Sequence, residues 1–461
     1  MQRTGPRPAA GGPSSSLSRP GLRLAAANRM RRLSIAIAIL MLAACESAKL
    51  PVQAVSGPHP QLVEPNPTLI PTVHVAKATG WADGTSPAPA DGLAVRAFAS
   101  GLVHPRWLHV LPNGDVLVAE TNAPERPKEG KGIKAWFMSL FMRKAGAAVP
   151  SANRITLLRD ADGDGVAETR TAFLEGLNSP FGMALVGSDL YVANTDAVVR
   201  FPYSDGATKI TAAATTLADL PAGPRNHHWT KSLIASRDGS RLYATVGSNS
   251  NVAENGLKEE EGRAAIVEID RTTGHERLFA TGLRNPNGMG WEPATGALWT
   301  VVNERDELGS DLVPDYLTSV KDGGFYGWPF SYYGQHVDTR VKEQRPDLVA
   351  AALVPDYALG PHTASLGLKF YDGKLLPSHY AGGAFVGQHG SWNRRPFSGY
   401  KVLFVPFTNG HPSGDAEDVL TGFVDAGGNA HGRPVGVAVA RDGALLVADD
   451  VGNVVWRVSA R

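Results

Sequence analysis

One cysteine is present among 461 residues, so the chain cannot form a disulfide within itself. Charge of one sign is not in excess: 45 Lys and Arg meet 44 Asp and Glu, a formal net of +1. That gives no reason to expect a nucleic-acid partner, whose binders usually show a basic face or stripe. The apolar run from Leu33 to Leu42 is too short for an ordinary membrane-spanning helix. Glycine, by contrast, is abundant: 51 residues spread among short apolar runs, alongside 33 prolines. This composition predicts a turn-rich β protein, and all-β folds of this length often form one unit.

The lone cysteine sits in an informative place. Met30-Arg31-Arg32 precedes the apolar run, which ends in Leu42-Ala43-Ala44-Cys45. A basic start, a short apolar segment and small residues before a cut site describe a secretory signal. Small residues before a Cys also resemble the bacterial lipobox, whose thiol is lipidated and becomes the new N-terminus. The alternative is a plain signal peptide with an incidental Cys. The expected organisation is an N-terminal extension and leader over 1–45, then a Pro- and Ala-rich tether over 46–91. A folded domain over 92–461 would be held at the cell envelope, periplasmic and lipid-anchored to the membrane through Cys45.

After the tether one phrase recurs: an apolar strand, a turn on Gly or a similar residue, and a second apolar strand. It appears at Pro105 to Ala119, Pro180 to Asn194, Lys231 to Val246, Pro286 to Val302 and Pro434 to Ala448, with a looser copy from Ser365 through Phe385. Each copy reads as a β-hairpin. A single hairpin cannot bury both faces, so the copies must stack on one another. A closed ring does this while leaving only short edges. The expectation is all-β, a six-bladed β-propeller, with Leu93 to Phe98 supplying the outer strand of the last blade. Lys131 to Lys144 breaks the pattern. Ile133, Trp136, Phe137, Leu140 and Phe141 fall at helical spacing, which predicts a short helical insertion in the first blade. It would either pack on the propeller or touch a membrane surface.

Three constellations can carry chemistry. Asp160, Asp162, Asp164 and Glu168 share one Gly-containing loop. Alternating carboxylates followed by Gly can wrap a hard cation, here in an EF-like loop in a β setting. The alternative is an Asx-rich turn without metal. Arg225-Asn226-His227-His228-Trp229-Thr230-Lys231 runs into an inner strand, where a His can act as a base near neutral pH. Gly282-Leu283-Arg284-Asn285-Pro286-Asn287-Gly288 holds the same place in the next repeat. Its Arg offers a fork of donors for carboxylate or oxyanion groups, or else fastens blades together.

Asn303-Glu304-Arg305-Asp306-Glu307 and Asp322-Gly323-Gly324-Phe325-Tyr326-Gly327-Trp328-Pro329 follow in order. With the two preceding phrases they resemble the quinoprotein glucose/sorbosone dehydrogenase family, most closely its L-sorbosone dehydrogenase branch, from about Leu93 to the C-terminus. The resemblance implies a propeller that uses pyrroloquinoline quinone (PQQ) and calcium to oxidise a sugar-type alcohol or aldehyde and passes electrons to an unidentified acceptor. It implies His228 as catalytic base and Arg284 as the donor stabilising negative charge on the quinone oxygen. Asn285 and Arg433 match cofactor-binding residues, and Arg106 is grouped with them. The cofactor calcium would be held by backbone carbonyls around Asp306 and Glu307. Two departures bear on the substrate. His227 stands where the glucose enzymes have Asp, and their cofactor-binding Lys has no clear counterpart, Arg394 or His389 being the candidate replacements. Two rival readings are a metal-dependent lactonase or esterase propeller and a non-catalytic envelope propeller that binds a peptide or glycan.

Overall fold

Each hairpin phrase extends into four antiparallel strands, to which three of the blades add a fifth strand at the edge. In the first, Pro105–Val110, Val116–Glu120, Arg154–Arg159 and Thr169–Leu174 follow one another as a meander. The inner strands of the other five are Met183–Val186, Leu233–Ala235, Pro286–Trp291, Ser365–Phe370 and Pro434–Val439. The computed structural model describes residues 47–68, 72–125, 141 and 143–461, and within them the expected six-bladed propeller is present. Leu93–Ser100 is the fourth strand of the last blade, antiparallel to Val454–Ala460 with Trp456 opposite Ala97 and Val458 opposite Val95. The two ends of the repeat region thus share one sheet, which closes the ring.

Why the blades stack is legible in their second strands. Leu445–Asp449 is buried along its whole length. Successive side chains of a strand point to opposite faces. Leu445 and Val447 therefore enter a cluster with Phe385, Val402 and Phe404 of blade 5. Leu446 and Ala448 enter another with Leu108, Val116 and Val118 of blade 1. The same division holds in blade 2, where Leu190 and Val192 face blade 1 while Tyr191 and Ala193 face blade 3. Burying one such Leu fully is worth about 2 kcal/mol, so each blade is stable only between its neighbours. Near the axis the inner strands touch backbone to backbone. A Cβ on Gly436 would lie 2.7 Å from the Arg106 carbonyl oxygen, so only glycine fits there.

The segment that composition reads as a tether behaves otherwise. Within 47–91, Ser56–Gly57 adds a strand to blade 4 (Ser56 opposite Leu359), Lys77–Ala78 pairs parallel with Asn429–Ala430, and Ala88–Pro89 adds an edge to blade 5. Trp81 packs edge-on to Phe423 and Trp456, and its Nε1 donates to Asp449 Oδ2 at 2.7 Å. This strap and the propeller form one compact unit, Glu46–Arg461. Its order comes from backbone pairing to exposed sheet edges, where Pro is tolerated and no hydrophobic period is needed. Of the expected helix Lys131 to Lys144, only Phe141, Arg143 and Lys144 lie within the described residues, and they are helical. The leader and Cys45 lie outside them.

Candidate active site

In an antiparallel hairpin the start of the inner strand and the end of the second strand lie at the same rim. The loops leading into the inner strands carry His104, His228, Arg284, Asn285 and Arg433, and the second strands end at or just before Ser248, Asn303, His389 and Asp450. Ring closure therefore gathers polar residues from distant parts of the chain. Below them Phe181, Trp229, Leu366 and Val435 form an apolar cluster drawn from four blades, with Trp107 packed against it.

His228 and Arg284 come together. His228 Nδ1 lies 2.7 Å from the Ser248 carbonyl oxygen and 3.1 Å from Ser248 Oγ. That hydroxyl donates to the Ser250 carbonyl, so the ring donates from Nδ1 and Nε2 keeps its lone pair. Ser248 N–H in turn donates to the Arg284 carbonyl at 2.7 Å. Burial first, then the Arg284 charge, push the His228 pKa far below its ordinary range, outweighing the Ser248 carbonyl and Asp306. The imidazole is therefore a neutral acceptor at neutral pH. Gly247 joins this pair to Asn285: a Cβ there would lie 2.4 Å from both His228 Cβ and Asn285 Oδ1. Asn285 Oδ1 is buried without a hydrogen-bond partner.

Arg284 is held from behind. Its Nη2 donates to Asp306 Oδ2 at 3.1 Å and to Asn251 Oδ1 at 3.0 Å. Asn393 Nδ2 donates to Asp306 Oδ1 at 2.8 Å, and His362 Nδ1 lies 3.5 Å from it. Burial alone would raise the Asp306 pKa, but Arg284 and His362 hold it well below the carboxylate range. Burial alone would likewise lower that of His362; Asp306 raises it instead.

A second constellation centres on Asp450. Arg106 Nη1 donates to its Oδ2 at 2.7 Å, His389 Nε2 lies 2.9 Å away and His104 Nε2 lies 3.5 Å away. Asp450 stays ionised, since these cationic and donor neighbours outweigh its burial. His389 is neutral, pushed down to about 4 by burial against the pull of Asp450. Arg433 Nη2 donates to Tyr400 Oη, and its guanidinium lies over that ring. The Nε atoms of Arg106 and Arg433 are buried and unpartnered. The Arg106 guanidinium sits 5.7 Å from the Trp229 ring centroid, so the two constellations share the residue next to His228. Unpaired donors on two arginines suit carboxylate groups of a ligand, and the orphaned Asn285 oxygen suits a ligand donor.

Other candidate residues are placed elsewhere. Arg394 is fully buried, with Nε on the Ser310 carbonyl at 2.8 Å, Nη1 on the Pro396 carbonyl and Nη2 3.5 Å from Asp311. It fastens the rim loops rather than joining either constellation. Glu307 is exposed with φ +72°, and both carboxylate oxygens of Asp306 already carry donors, so Asp306 offers no free side-chain oxygen beside Arg284. Asp160, Asp162, Asp164 and Glu168 do converge, each with a carboxylate oxygen within 4.8 Å of the others. Their loop lies away from the rim, where Arg96 and Arg457 approach Gly165. Asn251, His362, Asn393, Asp450 and His104 were not singled out from sequence. For Asp450 a signal existed: superposing the repeats puts a polar residue at the end of each second strand.

The sequence matches the Glucose / Sorbosone dehydrogenase family over residues 188–391 and a TrAA12-like family over 334–461. A pyrroloquinoline quinone-dependent pyranose dehydrogenase of Coprinopsis cinerea is 24% identical over 369 residues, 69% of this chain and 44% of that protein. An aldose sugar dehydrogenase of Escherichia coli is 23% identical over 186 residues, 38% of this chain and 48% of its own length. The chain spans between 44% and 62% of the length of the curated relatives it matches. Among solved structures, the PQQ domain of the Coprinopsis cinerea pyranose dehydrogenase superposes with TM-score 0.63 at 22% identity, over 84% of this chain and all of that one.

Proposed function

We propose, from the match to the Glucose / Sorbosone dehydrogenase family over residues 188–391, that the chain is a quinone-dependent oxidoreductase acting on a sugar or sugar-derived alcohol or aldehyde. The observation that carries this reading is the pairing of a neutral, half-buried imidazole with a buried guanidinium beside an orphaned Asn oxygen. PQQ, when bound, would supply a two-electron acceptor for hydride from the carbon that bears the substrate hydroxyl. His228 Nε2 takes the hydroxyl proton, its orientation fixed by the Ser248 carbonyl. Burial and the Arg284 charge keep that imidazole neutral; with its N–H groups committed to Asn251, Asn303, Glu304 and Asp306, Arg284 offers a preorganised positive charge to negative charge developing at the same wall. Arg106 and Arg433 supply unpaired donors for ligand carboxylates, and Asn285 accepts from a ligand donor.

The proposal extends to an envelope location through lipidation of Cys45, supported by Leu42-Ala43-Ala44-Cys45 and tested by mass spectrometry of the mature N-terminus. The enzymatic test mixes apo-protein with PQQ, calcium and an artificial dye across aldoses, sorbosone and simple alcohols. Quinone-dependent dye reduction is expected. The His228→Ala variant should lose turnover while still binding the cofactor. No reduction with any substrate, or lactone hydrolysis without added quinone, would refute the reading.

A further inference from the structure

The family resemblance places a calcium ion on backbone carbonyls after Asn303-Glu304. In this chain the Asn303, Glu304 and Asp306 oxygens already have partners. The Glu304 carbonyl accepts from Arg284 Nη1 at 2.7 Å, and the Asn303 carbonyl lies 3.4 Å from the same atom. The Asp306 carbonyl accepts from Arg340 Nη1 at 2.9 Å and from Asn251 Nδ2 at 3.2 Å. The Asn251 carbonyl, on the facing loop, accepts from Trp328 Nε1 at 3.0 Å. Calcium requires six to eight oxygen ligands, and a carbonyl that accepts from a guanidinium has one lone pair taken and a cation beside it, which leaves it a poor ligand for a second cation.

The cations are also locked. Asp338 grips Arg340 through two bonds, at 2.9 and 2.7 Å, and Arg305 through a third at 3.0 Å. Arg305 is fully buried and further held by Glu304 at 3.0 Å and by the Pro329 and Ser331 carbonyls. Each of the three guanidiniums already has a carboxylate partner: Arg284 has Asp306, Arg305 has Glu304 and Asp338, and Arg340 has Asp338. A divalent ion added here would be uncompensated and partly desolvated, which is costly.

We infer that guanidiniums take the place of calcium beside the cofactor in this chain: Arg284 supplies the positive charge directly, Arg340 positions the Asp306 loop behind it, and quinone binding is independent of calcium. The inference rests on the quinone reading above. Its consequence concerns the blade 4 insertion, residues 320–356, which delivers Arg340. That insertion is part of the cofactor site through a positioning residue and is not only an ornament of the blade.

The test strips the whole protein with EGTA and titrates it with PQQ, following tryptophan quenching and calorimetry, in excess EGTA or in millimolar calcium. The two dissociation constants should agree within about threefold. A second titration adds calcium to the PQQ-loaded Asp160→Asn/Asp162→Asn double variant, which silences the separate acidic loop, and should give no binding heat. In EGTA, Arg340→Met should weaken PQQ binding by about tenfold and Arg340→Lys by less. Quinone binding that collapses in EGTA and returns with calcium overturns this inference alone, as does one-to-one calcium binding in the double variant. No quinone binding under either condition overturns both this inference and the quinone reading.

Discussion

The protonation of His228 gives the sharpest test of the proposed chemistry. Burial is the largest cause of its lowered pKa and the Arg284 charge the second. The base is therefore deprotonated through the neutral range, and kcat/KM should show no acid limb with a midpoint near the ordinary value of 6.5. Replacing Arg284 by Met removes the second cause and leaves the first. The acid limb should then move up toward the ordinary value, each unit of movement corresponding to about 1.4 kcal/mol of lost selection for the neutral ring. Removing the ring altogether, as in His228→Ala, should cost about 10²- to 10⁴-fold in kcat, or about 3–5 kcal/mol. The assay is dye-linked turnover against pH, paired with NMR titration of the His228 ring in apo-protein, which does not depend on cofactor affinity. A wild-type acid limb near the ordinary value, or an Arg284→Met variant whose His228 titrates no higher than in wild type, would refute the argument.

Three further outcomes are expected. His389 titrates at about 4 in the folded protein, against 6.5 when unfolded. Between those values the unfolded chain binds a proton that the folded one does not, so stability falls as pH drops through the window, by up to about 3 kcal/mol. His104, lowered by burial, adds in the same direction. Urea midpoints that are equal at the two ends of that window would contradict this. Trp81→Ala removes packing against Phe423 and Trp456 and a hydrogen bond to buried Asp449. It should cost about 2 kcal/mol or more and open the strap to protease, whereas a loose tether would lose nothing. If the acidic loop holds calcium, adding the ion should raise the thermal midpoint of wild type, and Asp160→Asn/Asp162→Asn should abolish that rise; an identical rise in the variant would place any calcium elsewhere.

The propeller was legible because its signal is local and repeated. A hairpin with period-two apolar strands states its own geometry, and six copies state that they must stack. The strand from Leu93 could be matched to the last blade since it precedes the first copy with the right pattern. The acidic loop was legible for the same reason: its carboxylates are neighbours in sequence. The strap over 47–91 was not, because edge pairing uses backbone groups that any composition carries. Nor were the partners of Arg394, because a guanidinium beside Asn393 in sequence says nothing of which carbonyls will surround it.

The amino-acid sequence by itself determined the number of blades, the closing strand, and the presence of an imidazole and a guanidinium at the heads of consecutive inner strands. Only the folded chain decided that Ser248 orients the imidazole, that Asp306, His362 and Asn393 hold the guanidinium, and that Arg340 reaches the Asp306 carbonyl from a later insertion. The division follows from range. Strand and turn preferences act over a few residues, whereas which donor meets which buried oxygen depends on contacts between segments tens to hundreds of residues apart, fixed only when the ring has closed.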